Sequence, residues 1–139
     1  EKIYFLDYPD GEIDYANEET EQLKRLMTEI SPDVVFIPHI KGEGWSDHKN
    51  TSMITWSCLS EKCKVFEYCV WFWYYGCMDI DWENACVLKM TDGEYKNKQS
   101  AIREYMLPKA SCGNPLSGVL PNVFLWAMDW NKELFFKVR

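Results

Sequence analysis

The sequence contains few histidines and lacks the short motifs that identify several common enzyme classes. Its only histidines are His39 and His48. There is no G-x-G-x-x-G, no Walker sequence, no G-x-S-x-G elbow and no H-E-x-x-H. A cysteine nucleophile would need a histidine partner, and nothing in the sequence selects one of the six thiols. These absences argue against nucleotide-binding, serine-hydrolase and cysteine-nucleophile chemistry.

A dense run of basic residues and a long apolar segment are also missing. The chain has 15 Lys and Arg against 22 Asp and Glu, a formal charge of −7. We therefore expect neither nucleic acid nor an anionic membrane as its main partner. The longest apolar stretch, Val65 to Met78, contains Glu67 and is too short and too polar to span a bilayer. It predicts a buried strand or hairpin, and no transmembrane segment is expected.

The six cysteines include no C-x-x-C pair, so no zinc knuckle is expected. Their uneven spacing leaves two interpretations, which are three disulfides or buried free thiols of a cytosolic protein. We favour free thiols, because unpaired cysteine packs as a small hydrophobic residue and several of these lie inside apolar runs. No signal peptide is recognisable. The expected location is therefore cytoplasmic.

What the sequence does contain is apolar and aromatic surface. Its 139 residues are 47% hydrophobic and 16% aromatic, which is enough to build the core of one domain over residues 1–139. The aromatic content exceeds the needs of a minimal core. Either the core is large, or part of the aromatic surface packs on something else.

The pattern near the N-terminus predicts the αβ half of a βαβ unit. Apolar residues at helical spacing indicate an amphipathic helix from Asn17 or Glu18 to Ile30. The continuous run Asp33–Pro38 then predicts a strand covered on both faces. The loop after it, "HIKGEGWSDHKN", leaves the carboxyl end of a parallel strand, where open α/β sheets place their ligands.

Further elements are expected along the rest of the chain. The patterns predict a helix from Thr51 to about Leu59, strands at Lys64–Tyr75 and Ala85–Met90, and a helix from Glu94 to Met106. The closing segment "VFLWAMDWNKELFFKV" predicts a strand or helix that packs through the aromatic side chains Phe124, Trp126, Phe135 and Phe136.

The loop around His48 holds the residues best suited to metal-assisted hydrolysis. A catalytic metal ion commonly has three protein ligands and an open position, with a nearby carboxylate that takes a proton. His48 is a candidate ligand, and Asp47, Glu43 and His39 lie within nine residues of it. By spacing alone the alternatives stay open. His48 could cap the following helix or lie on a solvated loop, and His39 could be a hydrogen-bonded residue at a strand end. The aromatic run "WFWYY" could bind a sugar, but aromatic strands more often form core.

The order of these motifs resembles the LmbE-like, or PIG-L, family of metal-dependent de-N-acetylases. "PDVVFIP" followed by "EGWSDHKNT" is similar to the family's P-D-(V/I)-V strand and its D-x-H-P-D-H-x-x-(T/A) motif. "YPDGEI" is similar to its aromatic-x-D-G-x-(L/I) turn. "FEYCVW", "VLKMTD" with "KNKQSAIREY", and "KELFFKV" are similar to later segments. The resemblance thus covers nearly the whole chain.

The resemblance implies a fold, a cofactor and residue roles. The implied fold is a Rossmann-like three-layer α/β sandwich with a mostly parallel sheet, incomplete here on its N-terminal side. By position, His48 corresponds to a zinc ligand, Asp47 to the carboxylate that orients the site, and Glu43 to the motif's leading acid. Trp45 replaces the histidine that stabilises the oxyanion, so we expect Trp45 to contact substrate and His39 to supply the missing donor.

The family's first motif, P-H-P-D-D-E, which supplies further ligands and the general base, does not occur in this sequence. We therefore expect the chain to be the C-terminal part of a longer protein. The implied function is zinc-dependent removal of an N-acetyl group from an N-acetylglucosamine-type sugar or glycoconjugate, and a homo-oligomer is compatible with it. The alternative is an inactive carbohydrate-binding or scaffold protein with the same fold.

Overall fold

The computed structural model describes residues 2–14, 18–75, 79–106 and 122–139. The described elements follow in the order α1 (Glu18–Ile30), β1 (Val34–Pro38), α2 (Ser46–Cys58), β2 (Lys64–Tyr68), α3 (Phe72–Tyr75), a 3₁₀ turn (Trp82–Asn84), β3 (Ala85–Lys89), α4 (Asp92–Met106), α5 (Asn122–Met128) and β4 (Lys132–Lys137). None of the helices described is long and apolar enough to cross a membrane.

The four described strands form one mixed sheet in the order β1-β2-β4-β3. β1 pairs with β2 in parallel, with Val35 opposite Val65. β4 lies between β2 and β3 and is antiparallel to both. β1, β2 and β3 therefore share one direction, but only one of the three pairings is parallel. The fold is mixed α/β, and the expectation of a mostly parallel sheet is wrong for these strands.

The core lies on one face of this sheet. Side chains alternate between faces along a strand, and the residues that point to the core face include Ile37, Val65, Leu134 and Phe136, all buried. α2 packs beside β1 and α1 packs on α2. On the other face Phe36 is 54% exposed and Val34 43% exposed. The expectation that β1 is covered on both faces is therefore wrong within the described part of the chain.

Several predicted boundaries differ from the structure. The helix predicted from Thr51 begins at Ser46. The strand predicted over Lys64–Tyr75 ends at Tyr68 and is followed by the short helix α3. The closing segment forms both a helix and a strand, in which Phe124 and Phe136 are buried. Trp126 does not pack in the core, because it is 74% exposed.

Two helices, α1 and α4, agree closely with the predictions. α1 spans Glu18–Ile30, and its Leu23 is buried. α4 begins at Asp92, and Thr91 and Glu94 form a reciprocal capping box at its start. The Thr91 backbone N–H donates to Glu94 Oε2 at 2.8 Å, and the Glu94 N–H donates to Thr91 Oγ1 at 3.3 Å. The Thr91 backbone N–H and the Thr91 hydroxyl, which also donates to Glu94 Oε2 at 2.8 Å, hold the pKa of Glu94 below its usual value, because they stabilise the carboxylate.

Four cysteines lie in the described part of the chain, and all are free thiols: Cys58, Cys63, Cys69 and Cys86. The preference for free thiols over disulfides is confirmed for these four. Only part of the burial prediction holds, because Cys63 is buried whereas Cys86 is exposed. Burial is the main cause that raises the pKa of the Cys69 thiol to about 12, so this thiol is inert as a nucleophile. Cys77 and Cys112 lie outside the described residues.

Candidate active site at the carboxyl edge of β1 and β2

The parallel pairing of β1 and β2 brings the ends of two strands to the same edge of the sheet. The loop after β1 contains His39, Glu43 and Trp45, and it leads into α2, which begins at Ser46. The loop after β2 carries Val70 and Trp71 alongside it. Because the strands run in the same direction, these loops meet at the sheet edge where open α/β sheets bind their ligands.

Glu43 is the centre of the contacts between these two loops. Its side chain has no solvent exposure. Oε1 accepts the backbone N–H of Val70 at 2.7 Å, and Oε2 accepts the N–H of Trp71 at 2.9 Å. Oε2 also lies 2.8 Å from Nδ1 of His48. Three donors around one carboxylate compensate the cost of burying its charge.

The contact with Glu43 determines which ring nitrogen of His48 is available. An ionised carboxylate can only accept a hydrogen bond, so we assign the proton to Nδ1. Nε2 then carries the lone pair. The His48 side chain is 30% exposed, and it stands in the first turn of α2. A histidine whose second nitrogen donates to a carboxylate is oriented as metal-ligating histidines usually are.

Asp47 precedes His48 and is 5% exposed. Its Oδ2 accepts the backbone N–H of Gly11 at 2.5 Å. Gly11 has φ +82°, a backbone conformation that glycine adopts without strain. The "YPDGEI" turn is therefore held against α2. The second oxygen, Oδ1, is buried without a hydrogen-bond partner among the described residues.

His39 lies deeper, at the end of β1, and is 4% exposed. Nδ1 accepts the backbone N–H groups of Lys41 at 3.2 Å and Gly42 at 3.0 Å. Nε2 lies 3.6 Å from Oε2 of Glu67. Burial lowers the pKa of His39 and outweighs the opposing effect of Glu67. His39 thus closes a turn in its neutral form, and its predicted role at an oxyanion stays a prediction.

Trp45 stands directly before α2 and is 45% exposed. Its ring stacks on Trp71, with 6.0 Å between ring centroids and 18° between the ring planes. It makes no side-chain cap to the helix. Among the predicted site residues the structure shows a direct contact between Glu43 and His48. Asp47 contacts Gly11, and Trp45 contacts Trp71.

The described residues contain no group of three or more His, Cys, Asp and Glu side chains that could hold a metal ion. The described residues supply only part of the ligand set of such a site. His48 is anchored through Nδ1 and offers Nε2, and Oδ1 of Asp47 is buried with no hydrogen-bond partner among the described residues. The chemistry of these groups suits zinc, which takes imidazole nitrogen and carboxylate oxygen.

Sequence reasoning missed the partners that hold the site. In the sequence Glu67 is a single charge inside an apolar run, but in the structure it lies beside His39 and accepts the backbone N–H of Ile40 at 3.2 Å. A carboxylate in a buried strand needs partners, and this signal could have selected Glu67. The backbone donors of Val70 and Trp71 have no sequence signal, because any residue but proline supplies an N–H.

The fold and the site define a class: a mixed α/β protein with a carboxylate-anchored histidine at the edge of its sheet. Residues 1–59 match the family model described as PIG-L: GlcNAc-PI de-N-acetylase. This match includes the turn at Gly11, β1, the loop with Glu43, and α2 with His48, so the resemblance predicted from the sequence is confirmed over that part of the chain. Neither a curated protein nor a solved structure matches the chain.

Proposed function

We propose that the intact protein is a zinc-dependent hydrolase that removes the N-acetyl group from an N-acetylglucosamine-type sugar or glycoconjugate. One observation carries the proposal. His48 is anchored through Nδ1 on the buried Glu43 and offers Nε2, and it does so within the segment that matches a de-N-acetylase family. The Rossmann-like three-layer arrangement and a cytoplasmic location belong to the same proposal.

In this proposal His48 would be one zinc ligand, because its Nε2 is not used by Glu43. A zinc ion bound there would polarise the scissile carbonyl and lower the pKa of a bound water. The P-H-P-D-D-E segment that the resemblance implies would supply the remaining ligands and the general base. Glu43 acts as a positioning residue, because it fixes the tautomer and ring orientation of His48. Asp47 places its free Oδ1 beside the same turn of α2.

Catalysis of amide hydrolysis also needs a donor for the developing oxyanion. Trp45 replaces the family's histidine at that position, and its ring is stacked on Trp71. We assign Trp45 to substrate contact. His39 is the nearest histidine in sequence, but Nδ1 accepts two backbone N–H groups and Nε2 faces Glu67. To serve as the donor, Nε2–H of His39 would have to leave Glu67.

The same replacement favours a second candidate function, an inactive carbohydrate-binding or scaffold protein. Trp45 cannot act as the histidine it replaces, because an indole N–H donates hydrogen bonds but does not titrate. Under this alternative the His48–Glu43 pair remains as a structural contact. The two functions differ in whether the intact protein binds metal and hydrolyses the N-acetyl group.

The test uses the full-length protein. We expect it to retain zinc after dialysis and to release acetate from N-acetylglucosamine glycosides. His48→Gln should lose both, because it removes the lone pair at Nε2, while keeping the fold. Lys49→Gln is the matched control, since Lys49 is the exposed neighbour on the same helix.

Two results would decide against hydrolysis. Full-length protein that holds no zinc and releases no acetate contradicts the proposal. Binding of the sugar that is unaffected by a chelator and by His48→Gln supports the non-catalytic alternative instead.

A further inference from the structure

Glu67 is a buried carboxylate with fewer partners than its burial requires. It is 5% exposed and lies on β2. Oε1 accepts the backbone N–H of Ile40 at 3.2 Å, whereas Oε2 lies 3.6 Å from Nε2 of His39, which is beyond hydrogen-bond distance. Glu43 is also buried, and it accepts three hydrogen bonds. Because Glu67 accepts one within the described part of the chain, its Oε2 is suited to a further donor.

Two cavities adjoin Glu67, with volumes of about 270 Å³ and about 260 Å³. Both are lined by Glu67, Ile40 and Val138, so Glu67 lies where the two cavities adjoin. The larger one extends towards the 3₁₀ turn and is lined there by Asp81 and Asn84. The smaller one, which we name the α2 cavity, extends along α2 and is also lined by Met53, Trp56 and Ser57.

The charges around Glu67 favour a cation as that donor. Asp81 adds a second carboxylate to the lining. Lys41 lines the larger cavity, but its Nζ pairs with Asp79 at 3.0 Å. Among the described residues His39 is the one ionisable side chain paired with Glu67, and in its neutral form it brings no positive charge. An anion would be repelled here, whereas a cation that donates to Oε2 forms a charge-assisted hydrogen bond.

The contacts also distinguish between kinds of cation. The described residues form no group of three or more His, Cys, Asp and Glu side chains, so they give a metal ion too few ligands. A guanidinium prefers both oxygens of a carboxylate, but Oε1 of Glu67 already accepts the N–H of Ile40. A quaternary ammonium relies on aromatic faces, and the Arg139 guanidinium already lies over the Trp56 ring, 4.5 Å from its centroid. A primary ammonium needs only one oxygen and therefore fits.

The α2 cavity suits the rest of such a ligand. Ile40, Met53, Trp56 and Val138 give it a mainly apolar lining. Its volume of about 260 Å³ lies below the range typical of drug-sized ligands, so the apolar part of the ligand is short. A lysine side chain has this character, because its aliphatic stem lies along apolar surface while its ammonium group takes a polar partner.

We propose that Glu67 and the α2 cavity bind a primary ammonium group on a short aliphatic chain, supplied by a small alkylamine or by a lysine side chain. The ammonium donates to Oε2 of Glu67, and the chain lies against Ile40 and Met53. Glu43 and His48 line neither cavity. The inference therefore does not rest on the proposed function, and it describes a second site.

The test is an NMR titration of the full-length protein at neutral pH and constant ionic strength. The backbone N–H of Ile40 is the reporter, because it donates to Glu67. n-Butylamine, which is protonated at neutral pH as lysine is, should shift the Ile40 signal saturably, and n-butanol should not. n-Butylguanidine should bind more weakly than n-butylamine. Nα-acetyl-lysine methylamide separates the two sources, since binding as tight as that of n-butylamine indicates a lysine side chain and weaker binding indicates a small amine.

Substitutions test the two parts of the site separately. Glu67→Gln should weaken n-butylamine binding by about tenfold or more, because Gln keeps the shape and an acceptor for Ile40 but loses the charge. Glu83→Gln is the matched control, since Glu83 is exposed on the 3₁₀ turn and lines neither cavity. Ser57→Leu, at an exposed position on α2, should also weaken binding, because it narrows the α2 cavity without touching Glu67.

Several outcomes would overturn the inference. If n-butanol shifts the Ile40 signal as n-butylamine does, the cavity selects apolar chains and not ammonium groups. Unchanged affinity in Glu67→Gln, or tighter binding of n-butylguanidine, contradicts the assigned contact at Oε2. The absence of a saturable shift with any amine means that water alone solvates Glu67. Zinc retention and acetate release enter none of these measurements, so failure of the proposed function is distinguishable from failure of this one.

Discussion

At the scale of single residues, Glu43 and His39 show how buried charge and buried polarity are balanced near the site. The Glu43 carboxylate accepts three hydrogen bonds, one of them from His48. His39 is kept neutral, and it accepts two backbone donors through Nδ1. The two side chains lie in the same loop, and each is buried among backbone N–H donors.

Replacing Glu43 by Gln should destabilise the protein. The amide nitrogen of Gln would face at least one of the donors that now point at the carboxylate, leaving a buried N–H without an acceptor. We expect the free energy of unfolding to fall by about 2–4 kcal/mol, measured by urea denaturation. Glu61→Gln, at an exposed position, should change it by less than about 0.5 kcal/mol. Equal effects of the two substitutions would show that the Glu43 contacts contribute nothing.

His39 should make the protein less stable in mild acid. Its pKa is lowered from 6.5 in the folded state, chiefly by burial, so the unfolded chain binds the proton more readily. The contribution of His39 to stability is therefore complete above about pH 6.5 and is lost as the pH falls from there towards the lower folded pKa. Protonation of His39 alone can change the free energy of unfolding by at most about 1.4 kcal/mol per pH unit.

The measurement for His39 is the free energy of unfolding at a series of pH values between about 7.5 and 5. His39→Gln should reduce the slope in the lower half of this range, although the variant is less stable overall. Parallel profiles for the two proteins would contradict the assignment, because the acid sensitivity would then come from other groups.

At the scale of elements, the site depends on where β2 ends and α2 begins. β2 ends at Tyr68, and the N–H groups of Val70 and Trp71 then donate to Glu43 instead of to a neighbouring strand. α2 begins at Ser46, so Asp47 and His48 lie on a helix rather than in a loop. Its Ser52 hydroxyl donates to the Pro38 carbonyl at 2.6 Å. The helix is thereby tied to the end of β1.

The loop between β1 and α2 should not tolerate a side chain at Gly44. This residue has φ +65°, and a Cβ would overlap the Tyr75 ring. We expect Gly44→Ala to lower the free energy of unfolding by about 1–3 kcal/mol, through backbone strain and displacement of Tyr75. Gly93→Ala is the matched control. Gly93 lies in the first turn of α4 with nothing near its Cβ position, so this change should be neutral or stabilising by up to about 1 kcal/mol. Thermal denaturation of both variants is the measurement, and a neutral Gly44→Ala would contradict the packing of Tyr75.

At the scale of the whole molecule, the described sheet is covered on one face only. The core face contains Phe136, which is 2% exposed and contacts the rings of Phe72 and His39. The opposite face contains Phe36, which is 54% exposed although it stacks on Phe66. Exposed aromatic residues of the described chain thus lie both on this open face and on the surface beside His48.

This asymmetry predicts different costs for the same substitution on two strands. Phe136→Ala should lower the free energy of unfolding by about 3–5 kcal/mol, because it opens a cavity in the core. Phe36→Ala should cost about 1 kcal/mol or less, because half of that ring is already in water. Urea denaturation of the two variants side by side gives the comparison. Similar costs would show that the face around Phe36 is covered in solution.

Much of this protein could be predicted from sequence where the signal was local. The helical spacing of Leu23 and its neighbours gave α1, the β-branched run gave β1, and the order of short motifs gave the family resemblance that residues 1–59 confirm. His48, Asp47 and Glu43 were also predicted as site residues from their closeness in the sequence. Such features depend on residues within a few positions of each other, and periodicity records them directly.

Only the tertiary structure decided how those residues are held. The backbone donors that Val70 and Trp71 present to Glu43 come from 27 and 28 residues away, and a backbone N–H leaves no mark in a sequence. The placement of β4 between β2 and β3 made the sheet mixed. Phe36 is 54% exposed on the open face of that sheet, although its strand has the sequence pattern of a buried one. Burial and hydrogen bonding depend on neighbours that are distant in sequence. The local sequence pattern therefore identified His48 as a candidate ligand, whereas the fold determined which of its ring nitrogens is available.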